Sequence, residues 1–313
     1  MSEKTLNQTI CLKKYISEKD YKEINELKER CILEDKINLK LELDYKLNIA
    51  KKPEIGLNKI NEFLYYVDDV LVSYIGISSF GNNMGELNGL THPAWRRKGI
   101  FKKLFELAMD ECGKRKFTKI LLLTDNNSNS GIEFIKSING SYDFSEFRMK
   151  QINNGFLDSI NSIKLRKAKN QDSKEIQRQN TIFFNDEELI DIEYKEYSPE
   201  DEEILNEITY MIELKGEIIG KIKVDYSETS AFICGFGIVP EFRGKGYGKE
   251  SLLETISLIT KKGIHEIELD VEGKNSTALN LYKSCGFEER STMNYYKYNI
   301  DNSIGIDFYM RNI

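Results

Sequence analysis

The chain has 313 residues, of which 40% are hydrophobic and 31% charged, and that is enough for two hydrophobic cores. A formal net charge of −6 and a pI near 5.4 exclude the basic footprint of a nucleic-acid binder. No apolar run approaches the length that crosses a bilayer, and the polar start Met1-Ser2-Glu3-Lys4 has none of the marks of a signal peptide, so a cytoplasmic chain without a membrane partner is expected.

Five cysteines, Cys11, Cys31, Cys112, Cys234 and Cys285, form no C-x-x-C pair, and their odd number argues against a disulfide framework. His92 and His265 are the only histidines and lie far apart, so neither a histidine-rich metal site nor a Ser-His-Asp triad is expected.

In chain order, alternation over 9–15 predicts a strand, and Ser17 with Asp20 offers an S-x-x-D cap to a helix whose buried stripe is Tyr21, Ile24 and Leu27. A second helix is expected over 39–49, ending near Pro53. Strands at 61–67 and 70–79 are joined by the turn Asp68-Asp69, and a strand at 84–91 leads into His92-Pro93-Ala94-Trp95-Arg96-Arg97-Lys98-Gly99. The next helix buries Leu104, Leu107, Ala108 and Cys112, the run 120–123 is an apolar strand, and Asn129 opens a helix that ends near Gly140.

The polar stretch 151–161 reads as a linker, and the boundary between two domains, 1–155 and 162–300, is set there. A strand follows at 162–166, then a helix capped by Asp172 and Glu175, and then an acidic run from Asp186 to Glu203. Strands at 208–214, 217–226 and 231–239 reach a glycine-rich turn, after which come a helix over 249–261, a strand over 266–271, a helix over 276–285 and a tyrosine-rich strand over 293–299. The tail 301–313 carries no pattern.

That turn, Ile238-Val239-Pro240-Glu241-Phe242-Arg243-Gly244-Lys245-Gly246-Tyr247-Gly248, joins a strand to a helix. Gly244, Gly246 and Gly248 let several N–H groups converge, the helix adds the positive end of its dipole, and Arg243 adds charge, so the turn suits a phosphate. It is not a Walker A loop, because Arg243 and Glu250 hold the positions of the first Gly and the Ser/Thr, and a dinucleotide fingerprint fails at Lys249.

With Pro240, Arg243 and the glycines in place, it resembles the acyl-CoA pyrophosphate loop of the GNAT acetyltransferase superfamily. Asn275, Ala278, Leu281, Tyr282, Gly286 and Phe287 resemble the family's second signature. One offset carries Pro93 onto Pro240, Arg96 onto Arg243 and Gly99 onto Gly246, so the chain is a tandem repeat; Gly140 falls on Gly286 at an offset one residue shorter.

The resemblance implies two tandem α/β folds with mixed sheets, a layout similar to mycothiol synthase, and acetyl-CoA as cosubstrate. It implies that Ile238, Val239, Arg243, Gly244, Lys245, Gly246, Tyr247, Gly248 and Asn275 bind that cosubstrate, with backbone N–H groups near Ile238 and Val239 polarising the thioester, and that Tyr282 is the general acid. Against this stand a core tyrosine and a helix-capping asparagine.

Glu213 and Asp225 lie on strands where a base could sit, and solvent-facing strand carboxylates are the plainer reading. In the first copy Arg97 replaces Gly244, Phe101 replaces Gly248 and Lys136 falls where the acid belongs, so that copy is expected not to catalyse. The acceptor is expected to be a small-molecule amine or a peptide N-terminus, cationic because the acidic run would wall its side of the cleft. A non-catalytic CoA-binding or sensory module is the alternative, and a doubled peptidoglycan aminoacyl transferase would have no reason to keep a CoA loop.

Overall fold

A computed structural model of the chain describes residues 6–50, 59–79, 83–152, 162–184, 198–204 and 206–299. The expected linker beyond 152, most of the acidic run and the tail 301–313 lie outside the described residues. The architecture is mixed α/β. Chain contacts divide it into two compact units, one of Met1–Phe144 with Met293–Ile313 and one of Ser145–Thr292.

Unit 1 begins with β1 (Gln8–Lys13) and α1 (Glu18–Asp35), whose start is a full capping box: Ser17 and Asp20 each accept a backbone N–H of the other. Ile24, Leu27 and Cys31 line the buried face of α1. After α2 (Leu43–Ala50) come β2 (Glu62–Val67) and β3 (Val70–Ser78), joined by Asp68 and Asp69, both left-handed at φ 45° and 62°, as a two-residue hairpin turn of the primed type requires. β4 (Met84–Thr91), α3 (Ile100–Lys114), β5 (Lys119–Asp125) and α4 (Asn129–Ser137) follow.

Side chains alternate across the sheet. Phe63, Tyr65 and Val67 pack on the same face as Leu104, Ala108 and Cys112 of α3, while Leu64 meets Ile24 and Leu27 of α1 on the other.

Unit 2 repeats the plan with β7 (Ile163–Lys167), α5 (Ser173–Phe184), α6 (Pro199–Glu203), β8 (Glu207–Leu214), β9 (Glu217–Tyr226), β10 (Ser230–Ile238), α7 (Tyr247–Lys261), β11 (Glu266–Glu272) and α8 (Ser276–Ser284). Leu252, Ile256 and Ile259 of α7 bury against Ile212, Ile222 and Val224. Asp172 does not cap α5 as expected. It ends a 3-10 turn, accepts the N–H of Lys169 at 2.8 Å and binds Arg166 at 2.9 Å.

The boundary expected at 155 follows the sequence repeat, whereas the units exchange their last strands. In unit 1 the strand beside β5 is the end of β12 (Phe287–Tyr298), with Met293 opposite Asp125 and Tyr298 opposite Ile120. In unit 2 the strand beside β11 is the end of β6 (Ser141–Gln151), with Glu146 opposite Glu272 and Lys150 opposite Glu268. The physical reason is side-chain fit. Tyr295 is 1% exposed, packs with Leu121, Leu123 and Met293, and stacks on Phe144 at 4.4 Å.

A fragment of residues 1–155 therefore lacks a buried strand and exposes Leu121 and Leu123. It should aggregate or elute as a mixture in size-exclusion chromatography. The same fragment joined through a flexible linker to residues 287–299 should be monomeric, with a cooperative melt.

Candidate functional site

β10 and β11 run parallel in register only from Ser230 opposite Glu266 to Ile233 opposite Leu269. Beyond that pair β10 continues to Ile238 and β11 to Glu272 without pairing each other, so the strands part. The backbone of β10 past Ile233 thus has polar groups that its neighbour does not satisfy.

Val239 N–H donates to Ile219 O at 2.9 Å, which makes Ile238 opposite Gly220 a non-hydrogen-bonded pair. The N–H of Ile238 therefore points away from β9 and into the parting. That of Val239 is engaged, which removes it as the expected thioester donor.

A bulge interrupts β10 just before this point. Lys221 lies opposite Gly237 and Lys223 opposite Cys234, so Gly235 and Phe236 together face the single residue Ile222.

After β10 a 3-10 turn over Pro240–Phe242 leads into the loop. Gly244 and Gly246 take φ of 73° and 88°, and Gly246 caps α7 without any side-chain hydrogen bond, leaving the first N–H groups of that helix for a ligand. A Cβ on either glycine would meet no atom within 4 Å, so backbone twist, not crowding, demands them. Gly248 differs. It has no positive φ, and a Cβ there would lie an ordinary 3.6 Å from Leu281.

Arg243 anchors the loop through its Nε, which donates to Ile238 O at 2.7 Å, and its guanidinium lies 5.8 Å from the Phe183 ring. Among the described residues its remaining N–H groups make no ion pair. Lys245 donates to Glu241 O, and Tyr247 leans on Phe242 at 6.4 Å.

α8 starts at Asn275, whose Oδ1 accepts the N–H of Ala278 at 3.0 Å, so its carbonyl oxygen serves as a cap. Two turns on, the half-buried Tyr282 lies edge-on to Phe287 at 6.1 Å. Burial, with smaller contributions from Cys234 and Cys285, pushes its phenol up to about 12.

One face of β9 and β10 carries a network of charge. Lys223 pairs with Glu202 at 3.1 Å and Glu207 at 2.7 Å. Asp225 accepts a hydrogen bond from the Cys234 thiol at 3.7 Å on Oδ2, while its Oδ1 is buried with no partner. Burial raises Asp225 to about 6, against the lowering pull of Lys223 and helped by repulsion from Glu207. Glu213, the other strand carboxylate, is taken by Arg166 at 2.6 Å. Of the acidic run, three described members are engaged within unit 2: Glu200 accepts from Asn170, Glu202 pairs with Lys223 and Glu203 with Lys167.

Unit 1 keeps the same loop backbone. Arg97 and Gly99 take φ of 62° and 75°, so a non-glycine residue bears the left-handed strain that Gly244 avoids. Arg96 also anchors through Nε, to Thr91 O at 3.0 Å, but its fork is closed on Asp35 at 2.8 and 2.6 Å.

Ser128, not Asn129, caps α4, and Asn139 takes the left-handed C-terminal position that Gly286 holds in α8. One offset thus holds from β3 through α4, and the shorter one expected at Gly140 is corrected. The counterpart of Tyr282 is then Ile135, buried at 4% exposure, and not Lys136. Where β4 and β5 part, unit 1 has a cavity of about 260 Å³, open to solvent on one side and lined by Leu87, Gly89, Thr91, Phe105, Thr124 and Ile135.

Among the described residues no cluster of His, Cys, Asp or Glu could hold a metal ion, and no helix is long and apolar enough to cross a membrane.

The family model "Acetyltransferase (GNAT) family" matches residues 33–140 and 174–287. The uncharacterized N-acetyltransferase YycN of Bacillus subtilis is 37% identical over 65 residues, which are 21% of this chain and 42% of that protein. The mycothiol acetyltransferase of Renibacterium salmoninarum is 40% identical over 62 residues, 20% of this chain and 18% of that one. These matches span less than half of either relative.

Among solved structures, a GCN5-related N-acetyltransferase from Sphaerobacter thermophilus superposes at a TM-score of 0.71 with 15% identity, over 93% of this chain and 95% of that one. A tandem GNAT protein of the clavulanic acid biosynthesis pathway gives 0.64 at 13% identity, over 93% and 98%. The two family-model matches fall one in each copy of the repeat and both carry the loop described above, and the chain belongs to the GNAT acetyltransferase family as a tandem member.

Proposed function

We propose that unit 2 moves an acetyl group from acetyl-CoA to a primary amine by direct attack, with no covalent enzyme intermediate. One observation carries this reading: only in unit 2 do the parted strands combine the glycine cradle, an arginine fork free of described ion pairs and a tyrosine on the second helix. The loop from Arg243 to Gly248 would hold the pyrophosphate, with Asn275 beside the cosubstrate arm. The Ile238 N–H would hold the cosubstrate arm, and the backbone of the bulge at Gly235 and Phe236, next to the Cys234 that Asp225 touches, would polarise the thioester carbonyl.

Tyr282 would give its proton to the leaving thiolate. With its phenol at about 12 it remains a donor across the working range.

Asp225 is the carboxylate available to take the proton of the incoming ammonium. Lys221 and Lys223 balance Glu202 and Glu207, so an ionised Asp225 leaves one negative charge in excess there, and this supports a cationic acceptor, a small-molecule amine or a peptide N-terminus.

Non-catalytic acyl-CoA binding has one observation on its side: the cavity of about 260 Å³ lies in unit 1, where Ile135 replaces the tyrosine. Release of CoA from acetyl-CoA with a panel of amines (spermidine, an aminoglycoside, a basic tetrapeptide and benzylamine) separates the readings, since binding without release favours the module.

Tyr282→Phe should lower kcat by about 10²–10⁴-fold while acetyl-CoA affinity by calorimetry stays unchanged. Arg243→Glu with Gly246→Trp should abolish turnover, and Arg96→Glu with Gly99→Trp should leave it above one-tenth of wild type. Loss of turnover only in the second pair would move the reaction to unit 1.

Below about pH 6 Asp225 is protonated and accepts no proton, so kcat/KM should fall as pH drops through about 6, and Tyr282 should add no alkaline limb below about 11. Asp225→Asn should lower the rate by about 10²–10⁴-fold and remove the acid limb. Because the folded state raises this carboxyl above its unfolded value of about 3.9, the charged form opposes folding. The asparagine variant should therefore melt higher at pH 8, with the gain vanishing between about pH 6 and pH 4.

A further inference from the structure

Lys221 lies in β9 with 4% of its surface exposed, a costly depth for an ammonium group. Its Nζ donates to the carbonyl oxygen of Gly235 at 3.0 Å, and the Phe184 ring lies 5.6 Å away. Gly235 is the first residue of the bulge, and Lys221 sits opposite Gly237 on the bulge's far side, so the lysine spans the irregularity.

Unit 1 supplies an internal comparison. Tyr74 stands at the equivalent place in β3, opposite Leu90 as Lys221 is opposite Gly237. Its phenol turns to Glu62 at 2.6 Å, a carboxylate that Lys46 also holds at 3.0 Å, and makes no contact with the β4 backbone of the kind Lys221 makes with Gly235. There the register runs from Ser73 opposite Thr91 to Ser78 opposite Glu86 without a shift. The copy with the lysine has the bulge, and the copy with the tyrosine does not.

We propose that Lys221 is a positioning residue that sets the bulge of β10 and, through it, the backbone that meets the acyl end of the cosubstrate. The second half of this statement rests on the transferase reading above. The carbonyl of Gly235 and the N–H of Phe236 belong to one peptide group. An ammonium on that carbonyl polarises the whole group and makes the N–H a stronger donor. It also fixes the one stretch of β10 that neither β9 nor β11 holds in regular pairing.

The groups around Lys221 are Lys223 on its own strand, Cys234 on β10, Glu202 on α6 and the Phe184 ring on α5. Burial brings the ammonium down to about 8, with Lys223 lowering it further and Cys234 and Glu202 opposing. Above that pH the lysine loses its charge and its grip on the carbonyl weakens.

The test compares wild type with Lys221→Met and Lys221→Tyr. Amide hydrogen exchange at Gly235 and Phe236 is read against amides in the middle of α7. Loss of a charge-assisted hydrogen bond should lower protection at the bulge by about tenfold or more in both variants at pH 7. In wild type, protection should fall by a similar factor as pH rises through about 8, a step absent from Lys221→Met.

Turnover of acetyl-CoA with the amine panel should lose about 10²-fold in kcat, while the KM for acetyl-CoA moves less than about threefold, because the phosphate loop is untouched. Unchanged protection at the bulge, in the variants or across the wild-type pH series, overturns the proposal. So does a rise in KM without loss of kcat. If protection changes as expected and wild type itself turns over no amine, the bulge assignment stands and the transferase reading falls.

Discussion

The parting of two parallel strands governs the rest of unit 2. Hydrogen bonds between β10 and β11 stop after Ile233 and Leu269, and a strand that loses its partner must either bind something else or be bent. β10 is bent by the bulge at Gly235 and Phe236, which turns the following segment toward the loop and leaves the Ile238 N–H facing open space. The loop then continues the same logic, because Gly244 and Gly246 rotate further amides inward and α7 begins with no side-chain cap. An extended row of unsatisfied donors results, ending at a helix dipole, and it suits a long ligand with a carbonyl at one end and phosphates at the other.

Electrostatics on the opposite face of β9 and β10 follow from burial. Lys223 is held by two carboxylates, Lys221 by a carbonyl, and Asp225 by a thiol alone. Burying an unpaired carboxylate is unfavourable. Glu213 is the useful contrast: it lies on the neighbouring strand, but Arg166 holds it in an ion pair shared with Asp172.

The two copies show how one fold diverges without losing its frame. Loop backbone, capping positions and the left-handed residue after the second helix are kept in unit 1, although Arg97 and Asn139 replace glycines there. The arginine fork is closed by Asp35, the strand pairing runs without a bulge, and Ile135 stands where unit 2 has Tyr282. Beside these residues unit 1 has a cavity of about 260 Å³.

Most of the frame was legible in the sequence, because short-range physics writes it there. The Ser17–Asp20 capping box, the Asp68-Asp69 turn, the stripe of Leu104, Ala108 and Cys112, and the repeat of Pro93, Arg96 and Gly99 at Pro240, Arg243 and Gly246 are local patterns of capping, φ and periodicity. The helix does start at Asn129, but its cap is Ser128, and matching Asn129 to Asn275 carried the acid position to Lys136, because Ser and Asn are equally good caps and only the backbone decides between them. Tertiary structure alone decided that the last strands are exchanged between the units, since the pairing of β12 with β5 joins residues far apart in the chain. It alone revealed Lys221 and the isolation of Asp225, because burial, a bulge and an orphaned oxygen arise from the neighbours a folded strand acquires and not from the residues beside it in sequence.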